Sequence, residues 1–219
     1  MSKKYEYLLF DLDGTITDSY EAISRSYKYA LEYYGIHTAP DEDLSFILGP
    51  PLKDTFEEHY GMSPEQADEA VEKYRERYHK YFLIEHKIYD GIPKLLEKLQ
   101  NDGFKLVLAT AKPEEFAKQI LMHFNLEKYF YGIYGASFDV SRNSKEKVLD
   151  YIFENLDIKD RDKSVMIGDR KFDMEGARYK GIDAIGVSYG FAKPGELEAY
   201  NPVFIAKNCD ELYNFLTED

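Results

Sequence analysis

Cysteine is almost missing from this 219-residue chain: Cys209 stands alone, no intrachain disulfide can form, and a reducing compartment is the simplest setting. Long apolar runs are missing too. Behind the basic start Met1-Ser2-Lys3-Lys4, the run Tyr5-Glu6-Tyr7-Leu8-Leu9-Phe10 stops at Asp11, too short for a signal peptide. No later stretch approaches the ~20 apolar residues of a membrane span. The expectation is a cytoplasmic protein that does not enter a membrane. Positive charge is in deficit, with 28 Lys and Arg against 41 Asp and Glu and a net charge of −13. Binding to nucleic-acid polymers or anionic membranes is disfavoured, since both rest on clustered cations. A small phosphorylated molecule is still admitted if a metal ion, a few aimed lysines or helix N-termini supply local positive charge. His37, His59, His79, His86 and His123 show no metal-ligand spacing, and surface or partly buried positions are expected for them. Internal repeats and low-complexity tracts are absent.

What is present describes a globular chain, 44% hydrophobic and 32% charged. Its length suits one medium domain, or one domain with an insertion, and a full core without staples. The 20 tyrosines are explained more cheaply by genome composition or a wet aromatic surface than by base stacking. Tyr5–Phe10 has strand length and β-favouring composition. From Ile16 to Glu85 the pattern is helical throughout. Asp18 and Glu21 have capping-box spacing before Ala22, Ile23, Ala30, Leu31 and Tyr34, with Gly35 as the stop. A shorter helical stretch is expected over Asp41–Ile47. Gly49-Pro50-Pro51 breaks the chain, Pro51 opens a helix that Gly61 closes, and Ser63-Pro64-Glu65-Gln66 starts another. Past Asp90-Gly91, strands and helices alternate, with strands at Phe104–Ala109, Gly132–Gly135, Ser164–Ile167, Ile182–Val187 and Val203–Ile205. Such alternation implies a parallel sheet covered on both faces. The expected fold is α/β, a Rossmann-like parallel-sheet core formed by 1–15 and 88–219, with a helical cap at 16–87 inserted after the first strand. A hinged insertion beside a strand end can act as a lid.

Three expected strands stop at polar residues, Asp11, Thr110 and Asp169. Ligands of open parallel sheets bind outside the carboxyl ends of the strands, so these residues should share a rim. Asp173 lies one helical turn beyond Asp169, and Lys145 can join from a neighbouring loop. Asp11 and Asp13, followed by Gly14 and Thr15, form an anionic turn against an apolar strand. A plain Asx turn accounts for Asp13-Gly14 but not for Asp11, since buried carboxylates are costly unless paired or bound to a metal. Clustered aspartates, a hydroxyl and a lysine suit phosphoryl transfer with Mg²⁺. One acid can attack phosphorus, a second can protonate the leaving alkoxide and then activate water, and the lysine and hydroxyl hold phosphate oxygens.

These motifs resemble those of the haloacid dehalogenase-like hydrolases, over nearly the whole chain. Asp11-Leu12-Asp13-Gly14-Thr15 is similar to the family's nucleophile motif, Thr110 to the second motif, Lys145 to the third, and Gly168-Asp169-Arg170-Lys171-Phe172-Asp173 to the metal-site motif. The resemblance implies Asp11 as nucleophile and Asp13 as general acid/base. It implies Mg²⁺ held by Asp11, the Asp13 carbonyl and Asp169, with Asp173 in support, and phosphate held by Gly14, Thr110, Ala111 and Lys145. Lys147 is read as lying on a solvated helix face, and Lys112, in the same turn as Thr110, is a further neighbouring lysine. Lys53 and Arg25 are read as surface charges.

A second acid at Asp13 suits ester hydrolysis or mutase chemistry. Leu108-Ala109-Thr110-Ala111-Lys112-Pro113, Gly49-Pro50-Pro51-Leu52 and Gly168-Asp169-Arg170 look most like the phosphoglycolate phosphatase and 5'-nucleotidase-like branch. The implied activity is a Mg²⁺-dependent phosphomonoesterase acting on a small phosphorylated metabolite through an aspartyl-phosphate. The alternatives are a sugar-phosphate mutase of the same superfamily, a protein-tyrosine-phosphate phosphatase, a non-catalytic phosphate-binding module and a receiver-like domain. The full set Asp11, Asp13, Lys145 and Asp169 speaks against the module. The helical insertion and the Asp13-Gly14-Thr15 turn do not suit a receiver. The natural substrate and the oligomeric state are not encoded in any motif.

Overall fold

The computed structural model describes residues 4–39, 42–139, 141–156 and 158–218. In chain order the strands are β1 (Tyr7–Phe10), β2 (Thr17–Asp18), β3 (Lys87–Ile88), β4 (Lys105–Pro113), β5 (Phe130–Ala136), β6 (Ser164–Gly168), β7 (Asp183–Val187) and β8 (Phe204–Ala206). The helices are α1 (Tyr20–Tyr33), α2 (Leu52–Tyr60), α3 (Pro64–Glu85), α4 (Ile92–Asn101), α5 (Glu114–His123), α6 (Lys145–Asn155), α7 (Lys171–Lys180) and α8 (Cys209–Thr217). The chain separates into two compact units, one formed by residues up to Asp18 together with those from Ile88 onward, the other by Ser19–Lys87. No helix among the described residues is long and apolar enough to cross a membrane.

The first unit is an α/β fold around a six-stranded sheet of order β5-β4-β1-β6-β7-β8, parallel in every pairing. β1 is central and fully buried, which is why it reads as an unbroken apolar run. Tyr7 and Leu9 pack with Val107, Met166 and the α6 residues Val148, Leu149 and Ile152. Leu8 and Phe10 alternate to the opposite face. Register aligns the strand ends: Phe10 lies beside Leu108 and Ile167. Asp11, Thr110 and Asp169 therefore emerge at the same rim.

The structure departs from the sequence reading at β4. It does not stop at Ala109 but runs to Pro113, through a local widening: Ala109 pairs with Tyr134 and Pro113 with Ala136. Thr110, Ala111 and Lys112 thus stand against Gly135 alone, a bulge that re-aims side chains at a sheet end. Pro113 lies beyond the end of β1, so its missing N–H takes nothing from the β1–β4 ladder.

The second unit is helical. Its core includes Tyr27 stacked on Phe56 at 4.2 Å, and Tyr74, Tyr78 and Phe82 stack at one-turn intervals along α3. Several tyrosines are therefore core residues here, while Tyr29 and Tyr33 stay exposed. Ser63 and Gln66 form the expected capping box of α3, and Gly61 ends α2 in the left-handed conformation. Two expectations need correction. Ser19, not Asp18, is the N-cap of α1, because Thr17–Asp18 is still extended, and no side chain caps that end. Only a single 3₁₀ turn, Ser45–Ile47, forms where a longer helical stretch was expected; Asp41 lies outside the described residues.

Charge inside this unit is concentrated at Glu85, whose carboxylate takes both Arg77 guanidinium nitrogens at 2.7 and 2.8 Å and Arg25 at 3.1 Å. Burial alone would raise the Glu85 carboxyl, but the Arg77 and Arg25 bonds outweigh it and hold it below its ordinary value. A depressed carboxyl stabilises the fold above its unfolded pKa, and that contribution is lost as pH falls through the folded value. Glu85→Gln should therefore destabilise the chain by about 3 kcal/mol at neutral pH. Chemical denaturation across pH should show the gap between variant and wild type closing below about pH 4.

Candidate active site

The turn after β1 is tied down by its backbone. Asp11 N donates to Ile167 O at 2.9 Å, prolonging the ladder with β6, and Leu12 O accepts from the amides of Ile16 and Thr17, both at 2.9 Å. Gly14 takes φ +84°, a conformation that L side chains rarely adopt, and a Cβ there would lie 2.1 Å from Asp169 Oδ2. Gly14 is thus required twice, by dihedral and by space.

Lys145 is the first residue of α6, capped by Ser144, and its ammonium is buried. Nζ contacts Asp11 Oδ1 and Asp173 Oδ1, each at 2.8 Å, and donates to Ala109 O at 2.8 Å. The other Asp173 oxygen accepts from Arg170 N at 3.0 Å, so Asp173 closes the first turn of its own helix while facing the lysine. Asp169, fully buried, accepts the Phe191 amide at 2.7 Å and the Thr15 hydroxyl at 3.2 Å. Asp11, Asp169 and Asp173 each bring a carboxylate oxygen within 4.8 Å of the others.

Electrostatics follow from this crowding. Burial pushes the Asp11 carboxyl up to about 6, with Lys145 pulling it down and Asp173 pushing it back up. Asp169 stands well above the ordinary carboxylate range, because burial and the charges of Asp173 and Asp11 all oppose its ionisation. Burial opposes the Lys145 ammonium, yet Asp11 and Asp173 outweigh it and raise its pKa. Fully ionised, three acids against one ammonium would leave two negative charges in surplus. A hard divalent cation with oxygen ligands matches both that surplus and this donor set. The residues present fit such an ion.

Asp13 lies in the same turn, but its carboxylate is not part of that cluster; its Oδ2 is 2.7 Å from Lys112 Nζ. The contribution expected of it toward a metal was its carbonyl. Thr110 is buried in the β4 bulge and its hydroxyl accepts from the Lys112 amide at 3.2 Å, while Ala111 beside it is exposed. The two candidate lysines of α6 separate clearly: Lys147 is exposed and donates to Asn143 Oδ1 at 3.0 Å, away from the acids. In the helical unit Lys53 pairs with exposed Asp68, as a surface charge does, while the half-exposed Arg25 reaches Glu21 and the buried Glu85.

Sequence reasoning missed the Tyr189-Gly190-Phe191 loop. Phe191 supplies the amide that orients Asp169, and a Cβ on Gly190 would stand 2.2 Å from Gly14 O and 2.5 Å from Asp169 Cβ. A Tyr-Gly-Phe string after a strand carries no phosphate or metal signature, so only the folded contacts reveal it. It also missed the partner of Lys112.

Residues 8–187 match the haloacid dehalogenase-like hydrolases. A 5'-nucleotidase of Pseudomonas aeruginosa is 41% identical over 91% of this chain and 90% of its own length. The tyrosine-protein kinase PtkA of Mycobacterium tuberculosis is 37% identical over 94% of this chain and 71% of its own. Among solved structures, a predicted phosphatase from Clostridium acetobutylicum superposes with a TM-score of 0.92 at 43% identity, covering 98% of this chain and 99% of that one. The chain belongs to the haloacid dehalogenase-like hydrolases, and within them it is an enzyme of the phosphatase class.

Because Gly190 packs directly on Gly14 and Asp169, Gly190→Ala should displace the acid cluster by a sizeable fraction of an ångström. Misplacement on the 1 Å scale costs ~10²-fold in rate. Phosphatase kcat is expected to fall by at least ~10-fold, with far-UV circular dichroism unchanged. Wild-type kcat in that variant would show that the loop does not constrain the site.

Proposed function

We propose that this chain is a Mg²⁺-dependent phosphomonoesterase for a small phosphorylated metabolite, a nucleoside monophosphate ahead of a phosphoglycolate-like ester. The carrying observation is the buried Asp11–Lys145–Asp173 contact beside Asp169, with Asp13 one residue past Leu12 in the same turn. The preference for a nucleotide is supported by 41% identity to the 5'-nucleotidase, against 25% to a phosphoglycolate phosphatase of Vibrio parahaemolyticus.

In this reading Asp11 attacks phosphorus, forming an Asp11–phosphorus bond as the ester P–O bond breaks, and Asp13 gives its proton to the leaving oxygen. Asp13 then takes a proton from water, whose oxygen bonds to phosphorus and releases Asp11 and inorganic phosphate. Lys145 holds Asp11 in place and, with Thr110, Gly14 and Ala111, faces the phosphate oxygens. Mg²⁺, when held by Asp11, the Asp13 carbonyl and Asp169 with Asp173 in support, supplies charge neutralisation for the transferring group. We read the helical insertion as the cap that sets specificity, because it enters the chain directly after the turn bearing Asp11 and Asp13. The PtkA relative is named as a kinase of protein tyrosine, which forms the tyrosyl-phosphate ester rather than cleaving it; transfer of a phosphoryl group at tyrosine is the shared chemistry behind a second reading, a protein tyrosyl-phosphate substrate.

Phosphate release should be measured over nucleoside monophosphates, phosphoglycolate, sugar phosphates and phosphotyrosine peptides. Nucleoside monophosphates are expected to rank first, and a peptide ranking first would favour the second reading. Asp11→Asn should lose ~10⁴-fold or more in kcat while staying folded. Chelation should abolish turnover and Mg²⁺ restore it. Mg²⁺ should also raise the Tm of the wild type but not of Asp169→Asn, a readout independent of activity. Full turnover after thorough chelation would remove the metal from the reading.

A further inference from the structure

Lys112 projects from the β4 bulge, its side chain 6% exposed, onto an Asp13 side chain that is 22% exposed. Its backbone is fixed from several directions. The Lys112 amide donates to the Thr110 hydroxyl at 3.2 Å. Gly135 of β5 passes so close that a Cβ there would stand 2.5 Å from Lys112 O. Just past Pro113, the Glu114 carboxylate accepts Arg142 Nη2 at 2.8 Å and the Gly135 amide at 3.3 Å. Arg142 Nε in turn donates to Gly135 O at 2.7 Å. The ammonium of Lys112 is therefore presented by a braced strand to the turn that bears Asp13, 2.7 Å from Asp13 Oδ2.

A general acid or base works only within hydrogen-bond reach of the oxygen it serves. An ion pair at 2.7 Å with a buried ammonium restricts where the Asp13 carboxylate can point. The two lysines near the rim differ in what they touch: Lys145 contacts Asp11 and Asp173, whereas Lys112 contacts Asp13.

We infer that Lys112 is a positioning residue for Asp13: it sets the orientation of that carboxylate and acts on the reaction through it, not by gripping the transferring phosphoryl group. The inference rests on the reading of Asp13 as the proton-transfer group. Its consequence is dependence on the leaving group. An alkoxide needs the Asp13 proton to depart, and p-nitrophenolate needs it far less. Lys112 should therefore matter for alkyl esters and for hydrolysis of the aspartyl-phosphate, but not for its formation from p-nitrophenyl phosphate.

The test is a double-mutant cycle of wild type, Lys112→Met, Asp13→Asn and the double variant, with saturating Mg²⁺. Steady-state rates are taken on an alkyl phosphate, and single-turnover quenches on labelled p-nitrophenyl phosphate. Lys112→Met is expected to slow the alkyl ester by ~10–100-fold. It should leave aspartyl-phosphate formation from the aryl ester within ~3-fold and let the phosphoenzyme accumulate. In the Asp13→Asn background it should add less than ~2-fold, as coupled residues do. Lys112→Arg, which keeps a cationic donor, should recover most of the alkyl-ester rate, and it carries the comparison if Lys112→Met does not fold. Equal loss on both esters, or the full Lys112 effect persisting without Asp13, would overturn the inference and place Lys112 on the phosphoryl group. A wild type that forms no phosphoenzyme would overturn the underlying reading, a different result from either of those.

Discussion

One buried ammonium organises the core. Lys145 reaches from the first turn of α6 to Asp11 beyond β1, Asp173 in α7 and the Ala109 carbonyl of β4, each at 2.8 Å. Three stretches far apart in sequence thereby meet at a single nitrogen. Burying an ammonium is tolerable only with such partners, and burying the acids only with such an ammonium. The contact is thus mutual. The stem of the lysine depends on a further absence, since a Cβ on Gly176 of α7 would lie 2.7 Å from Lys145 Cγ.

Space at the rim is set by glycines as much as by acids. Gly14 and Gly190 approach Asp169 from two loops, and any side chain at either position would occupy the carboxylate's own volume. Asp169 is then oriented by the Phe191 amide and the Thr15 hydroxyl. Backbone and hydroxyl donors of this kind fix a carboxylate without adding charge. The surplus negative charge is left for a cation to balance.

The sheet was legible because its signals are local. β1 is a buried apolar run that ends at an acid, β6 is another, and parallel strands place such ends on one rim whatever separates them in the chain. Lys145 was separable from Lys147 by proximity to a helix start, since Ser144 caps α6 and turns the first residue inward. What escaped was non-local. The β4 bulge depends on how Gly135 packs against Lys112, and Pro113 made the segment look like a plain turn. The Asp18–Glu21 spacing matched a capping box, but the extended chain at Thr17–Asp18 moved the cap to Ser19. The Tyr189-Gly190-Phe191 loop has no motif, because its contribution is one amide and one missing side chain.

The arrangement also carries a tension that bears on stability. Burial, with the mutual repulsion of the acids added to it, holds the Asp11 and Asp169 carboxyls above their ordinary range. A group whose folded pKa is raised opposes folding as pH climbs past its unfolded value. The acid cluster therefore costs stability at neutral pH, and it stands at the end of a fully buried strand. Its neighbours absorb that liability: β1 is clamped between β4 and β6, and each helix carrying a charged member of the cluster packs on the same apolar face. Local strain held by a rigid surround is what a preorganised reactive site requires. The stability of the sheet and the reactivity at its rim are, in this chain, consequences of the same packing.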